Sequence, residues 1–330
     1  MRAAWYERNG EARDTLQLGE LPTPEPGPGE VRVAVHTSGV NPSDVKSRRA
    51  RPLAGPRVVP HSDAGGIIDA VGQGVDRARL GERVWIWNGQ WQRPMGTAAE
   101  AIVVPTAMAV RLSDRCDFAA AACVGIPLLT AYEAVRRLGD VAGRDVLVIG
   151  AASAVSHYAA QLAVMQGARV IGTVSSEAKA AHARAAGVCE TIDYRAGGTA
   201  ERVRELTGGR GVHGIVDMDF STTAALVGEG ALAPHGTVVC FGSNVAADHA
   251  VPFRTLLFSS ISLQFFLIYD LAAEERSHAI RHVSALLDSG RLLHTIGARF
   301  ALDDIVAAHE AVESGGVMGN VVLDIVAPDA

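Results

Sequence analysis

A change of texture near the middle of the chain limits what it can fold into more than any other feature. The run Asp145-Val146-Leu147-Val148-Ile149 is apolar enough for a strand buried on both faces, and it ends on Gly150. A helix-compatible segment from His157 to Gly167 follows, then a strand candidate at Arg169 to Thr173, a helix around Ala178 to Ala186 and a short strand at Thr191 to Asp193. Further strands are expected at Gly214 to Asp217 and Thr237 to Phe241, with helical segments between them. Strand and helix alternating over so long a stretch require a doubly wound parallel sheet with right-handed crossovers. A strand that ends at Gly150 and a helix that begins near Ser156 place free backbone N–H groups and a positive helix end against a phosphate.

The first third reads differently. Short β-like runs at Val31 to Val35, Gly66 to Val71 and Arg83 to Trp87 are separated by turns such as Pro22-Thr23-Pro24-Glu25-Pro26-Gly27-Pro28-Gly29. That spacing suggests a small, partly closed β-structure. Amphipathic helices at Ser277 to Ser289 and Leu302 to Glu313 and a strand at Asn320 to Ile325 close the sequence. With 330 residues the chain suits two domains.

Composition removes several function classes. A net charge of -6 gives no electrostatic reason to expect nucleic acid. The short basic cluster Lys46, Arg48, Arg49, Arg51 reads as a solvated loop, with an anion-binding patch as the alternative. No long apolar run follows the N-terminus, so neither a signal peptide nor a membrane span is expected and a cytoplasmic location follows by default. Cys116, Cys123, Cys189 and Cys240 form no CxxC pair and read as small hydrophobes, not as a disulfide or zinc framework.

The phosphate loop itself is unusual. It reads Gly150-Ala151-Ala152-Ser153-Ala154-Val155-Ser156, with only the first glycine of the dinucleotide fingerprint. Alanine and serine are tolerated there at negative φ, whereas a position needing φ > 0 is strained by roughly 1 kcal/mol or more. Two readings stand: a loop that still takes the cofactor, or a scaffold that has lost it. After the second strand the chain reads Val174-Ser175-Ser176-Glu177-Ala178-Lys179, with no carboxylate immediately at the strand end for ribose hydroxyls. Ser175, Ser176 and Lys179 offer hydroxyls, a helix N-terminus and a positive charge to a 2′-phosphate, which favours NADPH. The alternative is an N-cap serine and a solvated lysine.

Several stretches, in order, resemble the medium-chain dehydrogenase/reductase superfamily and, within it, the zinc-free, zeta-crystallin-like quinone oxidoreductases. They are Ser38-Gly39-Val40-Asn41-Pro42-Ser43-Asp44, Val71-Gly72-Gln73-Gly74-Val75, Gly81-Glu82-Arg83-Val84-Trp85, Gly96-Thr97-Ala98-Ala99-Glu100, Gly125 to Tyr132 and the Gly150 loop. The resemblance implies an α/β protein with a GroES-like β-domain over residues 1–122, completed by about 264–330, and a Rossmann-type dinucleotide-binding domain over 123–263. It further implies that Asn41 and Asp44 lie on the cleft wall, that Thr130 and Tyr194 approach the cofactor, and that Gly242, Ser243, Asn244, Phe266, Leu267 and Ile268 line its nicotinamide half. With Gly150, Ala151, Ser153, Ala154 and Val155 these form the expected cofactor site. Family members often carry tyrosine where this chain has Lys46 and lysine where it has Asn320, which changes the substrate wall and removes a cation near the cofactor.

Zinc-dependent relatives need a thiolate, an imidazole and usually a carboxylate around a metal with one open position. Here Val40-Asn41-Pro42 lacks the cysteine, Ser62 stands where the histidine would, His61 is one residue off and Asp63 has no soft partner, so no metal is expected. Hydride transfer without a metal relies on positioning and on hydrogen-bond donors to the developing oxyanion. Asn41 is the candidate donor, Lys46 a candidate charge stabiliser or proton source, and Asp44 its orienting partner, with ordinary salt-bridge or capping roles as the alternative for Lys46 and Asp44. The expected reaction is NADPH-dependent reduction of a quinone; enone or enoyl reduction and a non-catalytic binding protein are the alternatives. The resemblance implies a homodimer, for which Leu256 to Phe266 is either the contact edge or a buried central strand.

Overall fold

Eleven residues from Glu30 to Val40 form the longest strand of the first part, their side chains alternating towards a core of Val31, Val33, Val35, Ile68, Val84 and Ile102. In the computed structural model, which describes residues 1–245 and 247–326, that strand is β3 in the order β1 (Arg2–Trp5), α1 (Ala12–Thr15), β2 (Gln17–Glu20), β3 (Glu30–Val40), α2 (Pro42–Ala50), β4 (Asp63–Val71), β5 (Arg83–Ile86), β6 (Ala101–Pro105), β7 (Ala109–Arg111) and α3 (Phe118–Ala121). The second part runs α4 (Leu129–Arg137), β8 (Asp145–Val148), α5 (Ala154–Met165), β9 (Arg169–Val174), α6 (Glu177–Ala185), β10 (Glu190–Asp193), α7 (Thr199–Leu206), β11 (Val212–Asp217), α8 (Phe220–Gly228), β12 (Leu232–Cys240), α9 (Phe253–Phe258), β13 (Ser262–Phe265) and α10 (Ala273–Ser289). The chain then returns through β14 (Ile296–Ala301), α11 (Ile305–Ser314) and β15 (Asn320–Asp324). Two units result: Met1–Pro127 together with the chain from Ile280 onward, and Leu128–Ala279. Residues 327–330, at the end of the segment expected to complete the β-domain, lie outside the described residues.

In the first unit a seven-stranded sheet has the order β14-β15-β3-β4-β5-β7, with β6 also paired to β3. All its pairings are antiparallel except β14 with β15. This is the GroES-like half expected from the sequence. One expectation is corrected here. The Lys46 to Arg51 cluster is not a solvated loop, because Lys46, Arg48 and Arg49 lie on α2. Pro42 at the first helical turn and the Asp44 carboxyl on the Asn41 N–H start that helix. Arg48 is fully buried and donates to Glu313, to the carbonyl of Gly10 and to His309.

In the second unit six strands pair in parallel in the order β10-β9-β8-β11-β12-β13. Counted from β8 this is 3-2-1-4-5-6, the doubly wound dinucleotide-binding order, and it reverses between β8 and β11. Leu147, Ile171, Ile215 and Val238 sit at its core. The apolar stretch 256–266 divides between α9 and β13, and β13 is the last strand of the sheet, so it is an edge and not a central strand.

Candidate functional site

In an open parallel sheet, ligands bind at the carboxyl ends of the strands where the strand order reverses. In the second unit that place is the loop after β8. Gly150 has φ +64, and among the described residues it is the only left-handed position of the loop 150–156. Ala151, Ser153, Ala154 and Val155 therefore carry no backbone strain, and their side chains do not distort the loop. A Cβ on Gly150 would stand 2.6 Å from the sulfur of Met218, a flexible side chain that would have to shift, so the conformational demand is the stronger one. The Gly150 N–H donates to Thr173 Oγ1 at 2.8 Å and the Ala151 N–H to the Thr173 carbonyl at 2.9 Å. Ser156 is buried and donates to the Ile149 carbonyl at 2.7 Å, so a hydroxyl satisfies the strand end where the fingerprint places a glycine. Close packing against the loop is supplied instead by Gly172 on β9, where a Cβ would come within 2.7 Å of Ala151 Cβ.

Beyond β9, Ser175 is buried and Ser176 caps α6, its hydroxyl accepting from the Lys179 N–H at 3.3 Å. Glu177, the first carboxylate after the strand, is paired with Arg184 along the same helix. Tyr194 follows β10 and is half exposed. Thr130, on α4, is buried, and its Oγ1 has no hydrogen-bond partner among the described residues. A buried hydroxyl of this kind retains a donor and an acceptor for a ligand.

At the far side of the reversal the Gly242-Ser243-Asn244 loop is pinned by Asp219. The Asn244 N–H and side-chain amide donate to its two oxygens at 2.9 and 2.8 Å. Burial works against the charge on Asp219, but these bonds and those from Ser221 outweigh it and hold the carboxyl below its usual range. Next to it, burial pushes Asp217 up to about 6. Gly242, Ser243, Phe266 and Leu267 line an open pocket of about 730 Å³ with Phe220 and His249, and Ile268 is buried.

The first unit holds the remaining candidates. Asn41 is buried; its backbone N–H donates to Asp44 Oδ2 and its Nδ2 to Asp63 Oδ2, both at 2.8 Å. Burial pushes Asp44 up to about 7, with the bonds from Asn41 pulling the other way. Lys46 is exposed and stands two positions after Asp44, a spacing that turns two side chains to different sides of a helix. Both Asn320 groups, N–H and Nδ2, donate to the Thr295 carbonyl, at 2.9 and 3.0 Å. Among the described residues no group of three or more His, Cys, Asp or Glu converges as a metal-holding cluster.

With this geometry in view, two sequence families match the chain: the alcohol dehydrogenase GroES-like domain over residues 27–114 and the zinc-binding dehydrogenase family over residues 154–286. A quinone oxidoreductase of Pseudomonas aeruginosa is 31% identical over 318 residues, covering 94% of this chain and 95% of its own. The chain belongs to the medium-chain dehydrogenase/reductase superfamily. Among solved members, an NAD-dependent alcohol dehydrogenase superposes with a TM-score of 0.90 at 30% identity, covering 99% of this chain and all 100% of its own. A mycobacterial protein solved with NADPH gives 0.87 at 30% identity, over 98% and 99% of the two chains.

As a superfamily member the chain is an oxidoreductase that takes a nicotinamide cofactor and a small-molecule substrate. The residues fit such a cofactor: an unstrained loop at the strand-order reversal, a helix start, and the partnerless Thr130 hydroxyl. Sequence reasoning missed Thr173, Gly172, Met218 and Asp219, and it weighed Asp63 only as a metal ligand. A glycine inside the strand Ile171-Gly172-Thr173 was the one readable signal among them, since glycine in a strand marks close approach.

Proposed function

We propose that the chain is an NADPH-dependent, zinc-independent quinone reductase. The observation that carries the reading is the Gly150 loop. Its single left-handed residue is a glycine, and every alanine and serine in it lies at negative φ. The departure from the glycine fingerprint thus costs the site no backbone strain. NADPH is preferred over NADH because the strand end at Val174 is followed by Ser175 and Ser176 and not by a carboxylate, while Glu177 is engaged by Arg184. Ser176 and Lys179 at the start of α6 would meet a 2′-phosphate.

When bound, the nicotinamide supplies a hydride. Gly242 to Asn244 and Phe266 to Ile268 would line that half of the cofactor, with Asp219 keeping the Asn244 loop in place, while Thr130 would approach the cofactor from α4 and Tyr194, after β10, would meet it at the opposite end of the sheet. Asn41 would donate a hydrogen bond to the oxygen that gains charge as the acceptor is reduced, with Lys46 as a further positive charge, while Asn320, whose donors are both held by the Thr295 carbonyl, supplies no cation. A quinone is already activated and needs no Lewis acid. Zinc independence is supported by Asn41 and Ser62 at positions where metal-dependent relatives need a soft donor and an imidazole. We place the boundary between the GroES-like and dinucleotide domains near 122, and on the C-terminal side after β13 and not at 263.

Titration of nicotinamide fluorescence tests the cofactor half: saturable binding with NADPH tighter than NADH is expected. Binding of neither cofactor would make the chain a scaffold. Comparing turnover of 1,4-benzoquinone with that of a simple enone separates the quinone reading from enone reduction, and the quinone is expected to be the faster acceptor.

A homodimer is part of the same proposal. The edge strand β13 and the helix before it expose Phe253 (70%), Leu257 (60%), Phe258 (78%) and Phe265 (56%). An apolar edge with unpaired backbone groups is suited to pairing with a second copy.

A further inference from the structure

Asn41 is gripped from two sides. Asp44 accepts its backbone N–H, as starting α2 requires, but the bond from Asn41 Nδ2 to Asp63 Oδ2 serves no helix end. Asp63 opens β4 and is fully buried. A buried carboxyl is costly unless its bonds compensate for lost hydration, and space for this one is reserved: a Cβ on Gly125 would stand 2.4 Å from Asp63 Oδ1.

Behind Asp63 runs a row of buried polar side chains whose donor directions follow from its two ends. The Asp63 carbonyl can only accept, and Arg48 can only donate. Thr97 Oγ1 donates to the Asp63 carbonyl at 2.7 Å, so Ser38 Oγ must donate to Thr97 Oγ1, also at 2.7 Å. Ser38 then accepts from His61 Nδ1 at 3.0 Å, which leaves His61 Nε2 as an acceptor for the Nε2–H of His309 at 2.9 Å. His309 Nδ1 in turn accepts from Arg48 Nε at 3.4 Å. Both imidazoles are neutral in this scheme, each with one donor and one acceptor in use. Burial lowers both histidines, His61 to about 3, in keeping with that assignment. His61 also holds φ +76, a left-handed conformation that a non-glycine residue adopts at a cost.

We propose that Asp63 is a positioning residue for hydride transfer, fixing the Asn41 amide in one orientation while the row from Thr97 to His309 fixes Asp63. This rests on the assignment of Asn41 as donor to the developing oxyanion. The amide is held at Nδ2 by Asp63 and on its other side by Asp44 through the capping box, so its direction is set before substrate arrives. Burial, with the nearby Asp44 adding to it, pushes the Asp63 carboxyl well above its usual range and favours the neutral acid, which an asparagine side chain imitates in shape and charge.

The test is a double-mutant cycle on the full chain with 1,4-benzoquinone and NADPH, joined to hydrogen exchange of the Asn41 side-chain amide by NMR. Asp63→Ala is expected to lower kcat about tenfold or more with little change in the KM for NADPH, and Asp63→Asn to restore most of the loss. In an Asn41→Ala background, Asp63→Ala is expected to cost less than about twofold, because the partner it acts through is gone. The Asn41 amide is expected to exchange at least about tenfold faster in Asp63→Ala than in the wild type or in Asp63→Asn. Equal losses in both backgrounds, Asp63→Asn as impaired as Asp63→Ala, or Asn41 exchange unchanged by Asp63→Ala would overturn the positioning role. Absence of NADPH turnover in the wild-type chain overturns the functional reading and with it the catalytic part of Asp63. The exchange readout is independent of turnover and keeps the two failures distinguishable.

Discussion

Gly150 carries two demands that no other residue meets together, a φ of +64 and a Met218 sulfur 2.6 Å from where a Cβ would be. Gly150→Ala is therefore expected to lose roughly 1–3 kcal/mol of stability and to weaken NADPH binding, measured by denaturant unfolding and by titration. Ser153→Gly, at φ -80, relieves no strain and is expected to leave affinity within about twofold. The sequence showed that glycines were missing from the loop but not which positions needed one, because the sign of φ is a property of the folded turn. A second residue-scale consequence concerns Asp44. Its folded value is raised to about 7 from 3.8, so its contribution to stability is fully present below pH 3.8 and is lost as pH rises through 7. Relative to the wild type, Asp44→Asn is expected to gain melting temperature between pH 4 and 7 and to hold a constant advantage above. A difference that does not vary with pH would show that Asp44 ionises in the fold as freely as in the unfolded chain. Asp63 was weighed in the sequence only as a metal ligand, and its hydrogen-bonding role was not readable because its partners stand 22 and 34 positions away, at Asn41 and Thr97.

At the scale of elements, α2 and α11 are joined by Arg48, which is fully buried against Glu313, His309 and the Gly10 carbonyl. Arg48→Ala leaves Glu313 with Arg49 at 3.2 Å but strips the Gly10 carbonyl and His309 of their buried donor, so it is expected to cost roughly 1–3 kcal/mol in chemical unfolding. A loss below about 1 kcal/mol would mean that the pair is solvated in practice. The helix itself was readable in Asn41-Pro42-Ser43-Asp44, a start signal overlooked beside the run of charges after it. The partners of Arg48 were not readable, since His309 and Glu313 lie more than 260 positions on. The parallel strands of the second unit were the most legible elements, because apolar runs buried on both faces have few alternatives. The stretch 256–266 was the least so: an edge strand and a short helix share its composition, and periodicity over so few residues cannot separate them.

At the scale of the whole molecule, alternation implied a doubly wound parallel sheet but not its strand order, and the open edge at β13 became visible only with Phe265 and the exposed Phe253 and Phe258 of the helix before it. Light scattering is expected to give about twice the 34.5 kDa chain mass. Phe265→Lys on β13 is expected to shift the protein towards the monomer; a monomeric wild type would contradict the dimer. Catalysis is the property on which the account stands or falls. The most direct measurement is NADPH oxidation by 1,4-benzoquinone followed at 340 nm, with and without a zinc chelator and with NADH in parallel. Saturable turnover with NADPH, slower turnover with NADH and no loss on chelation are expected. No turnover with either cofactor, or activity abolished by the chelator and restored by zinc, would contradict the proposed function.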